Sequence, residues 1–269
     1  MPGHVVLEAP DGQLADGAAG IARVRIGNPG KLNALDIAMW QQLRAVFDEL
    51  NIDPQPPRVV IVAGEDGHFV SGGDIEEFPS FRFEPGSLRA FHEDIVAPAL
   101  RAMRDCEIPL LAQIEGACIG GGLEIAACCD IRICGQASRF GVPIARLGFP
   151  MAPFEAETVA RVLPPALLRE LLIEARLLTA AEALRHGIVQ RVVDDELVAA
   201  EAQTSAARIA ALSPQALRLN KRLLRQMEHG PLTPGQRAPY FDYADSAEHR
   251  EGLAAFNERR PARFDASGS

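Results

Sequence analysis

The sequence predicts an α/β body followed by a smaller helical region, and three observations carry that prediction. β-branched runs alternate with helical periodicity through about residue 195. Two of those runs break at glycines and lead directly into helical patterning. From about residue 196 onward the patterning is helical throughout. The expected division is a core domain over 1–195 and a helical C-terminal region over 196–269.

The elements follow in order. IARVRIG (21–27) reads as a strand. In DIAMWQQLRAVFDELN, Asp36 is placed to cap a helix that carries Trp40, Leu43, Phe47 and Leu50 on one face. RVVIVAG (58–64) is a short strand of the fully buried type, and HFVSGGD (68–74) is strand-like before it breaks into a glycine turn. EEFPSFRFEPG (76–86) has no clear period and is expected to be irregular; a helix is expected from Ser87 to about Cys106. PLLAQIEG (109–116) and DIRICG (130–135) read as strands on either side of a helix opened by glycines. Thr179 and Glu182 make a T-x-x-E capping pattern, and Gly187 stops that helix before IVQRVV. In the C-terminal region, SPQALRLNKRLLRQMEHG (213–230) has a Ser cap, Pro in its first turn and Gly at its end. SAEHREGLAAFNERRPARF (246–264) reads as one more helix with a basic end.

Composition narrows the function classes. The chain has 269 residues, 48% of them hydrophobic, which is enough for one sizeable core. A net charge of −9 argues against nucleic acid or an anionic membrane as the main partner. No apolar run reaches the length of a membrane span, and the first twenty residues lack the basic and apolar segments of a secretory signal. Five cysteines (Cys106, Cys118, Cys128, Cys129 and Cys134) form no C-x-x-C pair, so reduced, buried thiols in a cytoplasmic protein are expected. Neither these cysteines nor the six scattered histidines offer metal-ligand spacing, and no metal is expected.

The chemistry concentrates in two segments with one local logic: strand, glycine turn, helix. In the first, Phe69-Val70-Ser71 runs into Gly72-Gly73-Asp74; in the second, QIEGACI runs into Gly120-Gly121-Gly122. Glycine lets a backbone approach a ligand closely, and a helix N-terminus offers unpaired N–H donors. Two such turns side by side would aim two N–H groups at one oxygen, the arrangement that stabilises an enolate or a tetrahedral oxyanion. Glycines that merely turn the chain are the competing reading. Neither G-x-x-x-x-G-K-[ST] nor G-x-G-x-x-G is present, so phosphate cradling is not indicated. Glu124 follows the triplet. It is either a local partner of the helix dipole or a group that moves a proton beside the oxyanion donors.

At this point the residues resemble a family. KLNAL (31–35), FVSGGDI (69–75), GACIGGGLEIAACCD (116–130), RFGVP (139–143) and HREGLAAFNERRPARF (249–264) are similar, in order and spacing, to the crotonase or enoyl-CoA hydratase/isomerase superfamily. The resemblance covers nearly the whole chain. It implies a spiral of ββα units with a helical C-terminal trimerisation region, trimers or dimers of trimers, and acyl-CoA thioester substrates. No cofactor is implied beyond the CoA moiety of the substrate. It assigns the oxyanion hole to the N–H groups of Gly73 and Gly121, and makes Glu124 one of two catalytic glutamates. Lys31, Leu32 and Ala34 match the segment that lines the nucleotide end of CoA, with Ser71, Asp74 and Ile75 as first-turn neighbours. Arg259, Arg260 and Arg263 match a tail that approaches CoA, often from an adjacent subunit.

One departure matters. The second glutamate of the hydratases follows the proline of a motif that here reads FGVPIARLGFP, which puts Ile144 at that position. Isoleucine carries no proton. Glu155 or Glu157, in the altered loop MAPFEAE (151–157), could supply a replacement, although both read more simply as exposed residues of the next helix. Arg146 could bind a polar acyl group, or serve only at the surface. The leading expectation is hydration of a 2-enoyl-CoA. Double-bond isomerisation, decarboxylation of a malonyl-type thioester and thioester hydrolysis are the catalytic alternatives. An acyl-CoA binding protein without activity is the alternative of another class.

Overall fold

The computed structural model describes residues 2–13, 19–228 and 230–264, and in it the β-branched runs pair into two sheets. The strands are β1 (His4–Gln13), β2 (Ala19–Gly27), β3 (Val59–Gly64), β4 (Leu110–Ile114), β5 (Ala117–Ile119), β6 (Ile131–Gly135), β7 (Arg139–Gly141), β8 (Leu178–Thr179) and β9 (Arg191–Val193). The larger sheet has the order β1-β2-β3-β4-β6-β9, and the smaller has β5-β7-β8. All pairings in the larger sheet are parallel except β1 with β2. β1 lies before the first strand expected from the sequence. It joins at the edge, where a register shift between Glu8 and Asp11 interrupts its pairing.

The helices are α1 (Ile37–Ile52), α2 (Pro85–Ala90), α3 (Ala97–Asp105), α4 (Gly121–Cys128), α5 (Pro153–Ala160), α6 (Pro165–Glu174), α7 (Ala180–Arg185), α8 (Val198–Ala210), α9 (Pro214–Met227), α10 (Pro234–Arg237) and α11 (Ala247–Glu258). Period-two alternation in β3 explains how they cover the larger sheet. Val60 and Val62 enter one core, with Leu43 and Phe47 of α1 and Leu100 and Met103 of α3. Val59, Ile61 and Ala63 enter a second core on the opposite face, closed by Ala202, Ala206 and Ala210 of α8. α8 thus falls within the expected C-terminal region, 196–269, yet packs on the sheet.

Several local expectations are met in detail. Asp36 caps α1 by accepting from the Met39 amide, and Trp40, Leu43, Phe47 and Leu50 are buried on its face. Thr179 and Glu182 form a reciprocal capping box. Ser213 and Ser246 cap α9 and α11.

Three expectations are corrected. HFVSGGD (68–74) forms no strand and carries only isolated bridges at Val70 and Gly73. Residues 75–80 form a 3-10 helix rather than an irregular connection. The helix expected over 87–106 is three pieces, because a π-helical turn over Phe91–Val96 separates α2 from α3. Pro98 supplies the reason: it has no amide to give Asp94, and its ring crowds that carbonyl. The turn widens, and the Ala97 amide bonds the His92 carbonyl instead. No helix of the described residues is long and apolar enough to cross a membrane.

Candidate active site

The two glycine turns meet because the segment between β3 and the first turn pairs with the chain leading to the second. The Phe69 and Val70 amides donate to the carbonyls of Glu115 and Ala117, and the Ile119 amide donates back to Val70. The loop before α1 then clamps the first turn: Leu35 N–H donates to Gly72 O at 2.7 Å and Asp74 N–H to Leu35 O at 2.8 Å. This bridge uses the groups on either side of Gly73 and leaves the Gly73 N–H without a protein acceptor. Gly121 is the first residue of α4, so its N–H also has no intrahelical acceptor. Among the described residues neither amide donates to the protein, and both line one cavity of about 210 Å³.

The three glycines of the triplet are needed for different reasons. Gly120 has φ +53°, a left-handed conformation. A Cβ on Gly121 would lie 2.9 Å from the Trp40 indole, and one on Gly122 only 2.3 Å from the Val70 carbonyl oxygen. The close approach of the second turn to the first therefore depends on the missing side chains.

The cavity is walled mainly by apolar groups, among them Trp40, Phe78, Ile144, Leu147, Phe149 and Met151. Four side chains that can carry charge interrupt that wall: Arg82, His92, Glu124 and Glu155. Glu124, on the first turn of α4, is 8% exposed and accepts no hydrogen bond from the described residues. Burial pushes its carboxyl up to about 8; the Glu155 charge adds to the push and Arg82 opposes it.

Glu155 corrects the simpler sequence reading. It is 3% exposed, not a surface residue. α5 packs against α3 and α4, and this packing turns the first turn of α5 inward. One carboxylate oxygen of Glu155 lies 2.6 Å from His92 Nδ1, and the other is buried in the cavity wall with no protein partner. Glu157 is exposed and does not line the cavity.

Arg82 and His92 were not legible as site residues. The 3-10 helix presents Phe78, whose carbonyl accepts from the Arg82 amide, and the guanidinium packs against the Phe78 and Phe149 rings, which are inclined at 74° to one another. Arg82 Cζ lies 4.1 Å from the Phe78 centroid and 3.9 Å from that of Phe149. Burial lowers its pKa while the Glu155 and Glu124 charges raise it. The interleaved aromatics of FPSFRF were a possible signal for Arg82; His92 had none beyond Pro98 downstream.

The remaining residues divide. Ser71 and Ile75 line the cavity with Gly73, Gly121 and Glu124. Lys31, Leu32, Ala34 and Asp74 do not line it, but lie beside it in the clamping loop and turn. Lys31 Nζ is held by Asp74 at 2.6 Å and Glu76 at 2.7 Å, while Ser71 Oγ donates to the Lys31 carbonyl. Arg146 is exposed and outside the cavity, so the structure does not bring it to the acyl end. In the tail, Arg260 pairs with Glu251 and Glu258, and the Arg263 amide also donates to Glu251. The five cysteines are free and buried. Among the described residues no cluster of three His, Cys, Asp or Glu side chains is arranged for a metal ion.

With the geometry in place, comparison with known proteins gives a consistent result. The family pattern described as enoyl-CoA hydratase/isomerase matches residues 16–267. A probable enoyl-CoA hydratase of Mycobacterium leprae is 30% identical over 254 residues, covering 93% of this chain and 96% of the relative. A crotonyl-CoA hydratase of Syntrophomonas wolfei is 29% identical over 252 residues, covering 91% of this chain and 94% of the relative. The crystal structure of an enoyl-CoA hydratase/carnitine racemase from Magnetospirillum magneticum superposes with a TM-score of 0.88 at 36% identity, covering 92% of each chain.

Proposed function

The chain belongs to the enoyl-CoA hydratase/isomerase family of enzymes, and on that premise we propose that it hydrates the double bond of a 2-enoyl-CoA thioester. The thioester carbonyl oxygen accepts from the Gly73 and Gly121 amides, which line one cavity and have no acceptor among the described residues. Water adds at the β-carbon, with Glu155 taking its proton, and charge builds up on the carbonyl oxygen as an enolate. Glu124 then gives its proton to the α-carbon. Burial suits it to this role by holding the proton on at neutral pH.

The observation that carries the reading is the presence of Glu155 in the same cavity as Glu124. Ile144 leaves one motif position without a proton carrier, but the cavity still holds two carboxylates. They come from consecutive helices, α4 and α5, rather than from the helix and the F-G-x-P motif. The apolar walls would hold the acyl chain, and the loop of Lys31, Leu32 and Ala34, with Ser71, Asp74 and Ile75, would receive the CoA. The five buried free thiols support a cytoplasmic setting.

Assembly is part of the same proposal. Leu224, Met227, Phe241, Leu253 and Phe256 are exposed on the C-terminal helices, and a homotrimer or a dimer of trimers would cover such a surface. The test of function is mass spectrometry of the pure protein with crotonyl-CoA and longer 2-enoyl-CoA thioesters. A product heavier by one water is expected. A panel returned unchanged in mass and in chromatographic position would overturn the proposal.

A further inference from the structure

We propose that Arg82 recognises a second, anionic group on the acyl chain, so that the preferred substrate is a CoA thioester of a dicarboxylic acid. The inference rests on the acyl-CoA reading above and names which acyl chains it favours. Among the described residues, Arg82 is the only arginine or lysine that lines the cavity. Among the described residues its side chain makes no hydrogen bond and no ion pair, and its Nε is buried without an acceptor. A buried donor without a partner is costly and uncommon, and calls for an explanation.

Aromatic contacts hold the guanidinium without using its N–H groups. Phe78 and Phe149 pack against it with their rings inclined at 74° to one another, and a cation held by ring contacts keeps N–H groups for a bidentate anion. Glu124 and Glu155 lie close enough to act on its charge, yet neither closes an ion pair with it. Balancing the Glu155 charge is the competing role. That role would be served best by direct contact, which the ring contacts do not provide. An acyl carboxylate entering a cavity that already contains the Glu155 carboxylate would be repelled without Arg82. With it, the cavity accepts the charge and prefers it to a methyl end.

The test uses saturated thioesters, which cannot be hydrated, so it reads binding independently of turnover. Affinities of glutaryl-CoA against pentanoyl-CoA, and of adipyl-CoA against hexanoyl-CoA, are measured by calorimetry; the CoA contribution is common to each pair and cancels. The protein is expected to bind at least one diacid thioester about 10–100-fold more tightly than its neutral partner. Arg82→Met, which leaves an unbranched stem against the rings, should abolish that preference, and Arg82→Gln should do the same should the first variant fold poorly. Arg82→Lys should retain part of it. Equal affinity within both pairs in the unaltered protein overturns the inference, and so does a preference that survives loss of the guanidinium. An enzyme that hydrates nothing but still shows the Arg82-dependent preference would overturn the proposed reaction and leave this inference standing. Failure of every thioester to bind would overturn both.

Discussion

His92 Nδ1 lies 2.6 Å from Glu155 Oε1, and this contact joins the widened turn before α3 to the first turn of α5. It fixes one oxygen of the carboxylate and leaves the other buried without a protein partner. Glu155→Gln is therefore expected to lower kcat for enoyl-CoA hydration by about 10²–10⁴-fold. His92 acts as a positioning residue: His92→Asn, which can still donate, should keep more of kcat than His92→Leu, with KM little changed in either. Steady-state rates of loss of the enoyl chromophore measure this. Equal rates for the two His92 variants would mean that the ring only fills space.

Glu124 gives the reaction a pH limit. Its carboxyl is raised from 4.5 to about 8, chiefly by burial. If the protonated form is the acid, kcat/KM for hydration should hold below about pH 8 and fall as pH rises through it. Glu124→Gln should remove turnover while leaving the affinity for a saturated thioester nearly unchanged. Stability follows the same sign. Between pH 4.5 and about 8 the folded state keeps a proton that the unfolded state has lost, so the Glu124 contribution declines across that window as pH rises. Melting temperatures of the protein and of Glu124→Gln should therefore diverge as pH rises through it, with the variant the more stable at the upper end. Parallel melting profiles would count against burial as the cause.

The two glycine-turn segments meet at a close contact between backbones. A Cβ at position 122 would stand 2.3 Å from the Val70 carbonyl oxygen, which already accepts from Ile119. Gly122→Ala must push the two segments apart, at a cost of about 1–3 kcal/mol. The Gly73 and Gly121 amides ride on those segments, so activity should fall more than stability alone explains. Thermal unfolding and kcat measured together test this, and a variant with unaltered Tm and rate would show that the contact yields freely.

What the sequence disclosed was local. The Asp36 cap, the Thr179–Glu182 box and the second strand–glycine–helix turn each depend on residues a few positions apart, and each is present; the first turn has isolated bridges in place of a strand and leads into a 3-10 helix. β1 was missed because HVVLEAPDGQ carries Pro10 and Gly12, and an edge strand needs little more than its partner β2 to form. The charged half of the site was hidden for a different reason. α5 is only eight residues long, and whether Glu155 points to solvent or cavity is settled by its packing on α3 and α4. Arg82 and His92 reach the same cavity from the turn after the 3-10 helix and from a π-turn, neither of which has the period of a regular helix or strand. Pro98 was the sole local sign that the chain would widen there.

The loop that clamps the first glycine turn depends on one buried amide. Asn33 Nδ2 donates to the carbonyls of Glu65 and His68, both at 2.8 Å, and its Oδ1 accepts from the Asn28 amide at 3.0 Å. Its own φ is +58°, following +49° at Leu32, a conformation that asparagine tolerates better than most residues. Asn33→Ala gives up these bonds and should cost about 1–3 kcal/mol. Asn33→Asp should cost more, because it sets an oxygen in place of the donor against two carbonyls. The loop also presents Lys31 beside Asp74, and its Leu35 bonds across Gly73. Both variants should therefore raise KM for a CoA thioester as well as lower the urea midpoint. If Asn33→Asp is as stable as the unaltered protein, or binds its thioester as well, the amide does not hold the clamp.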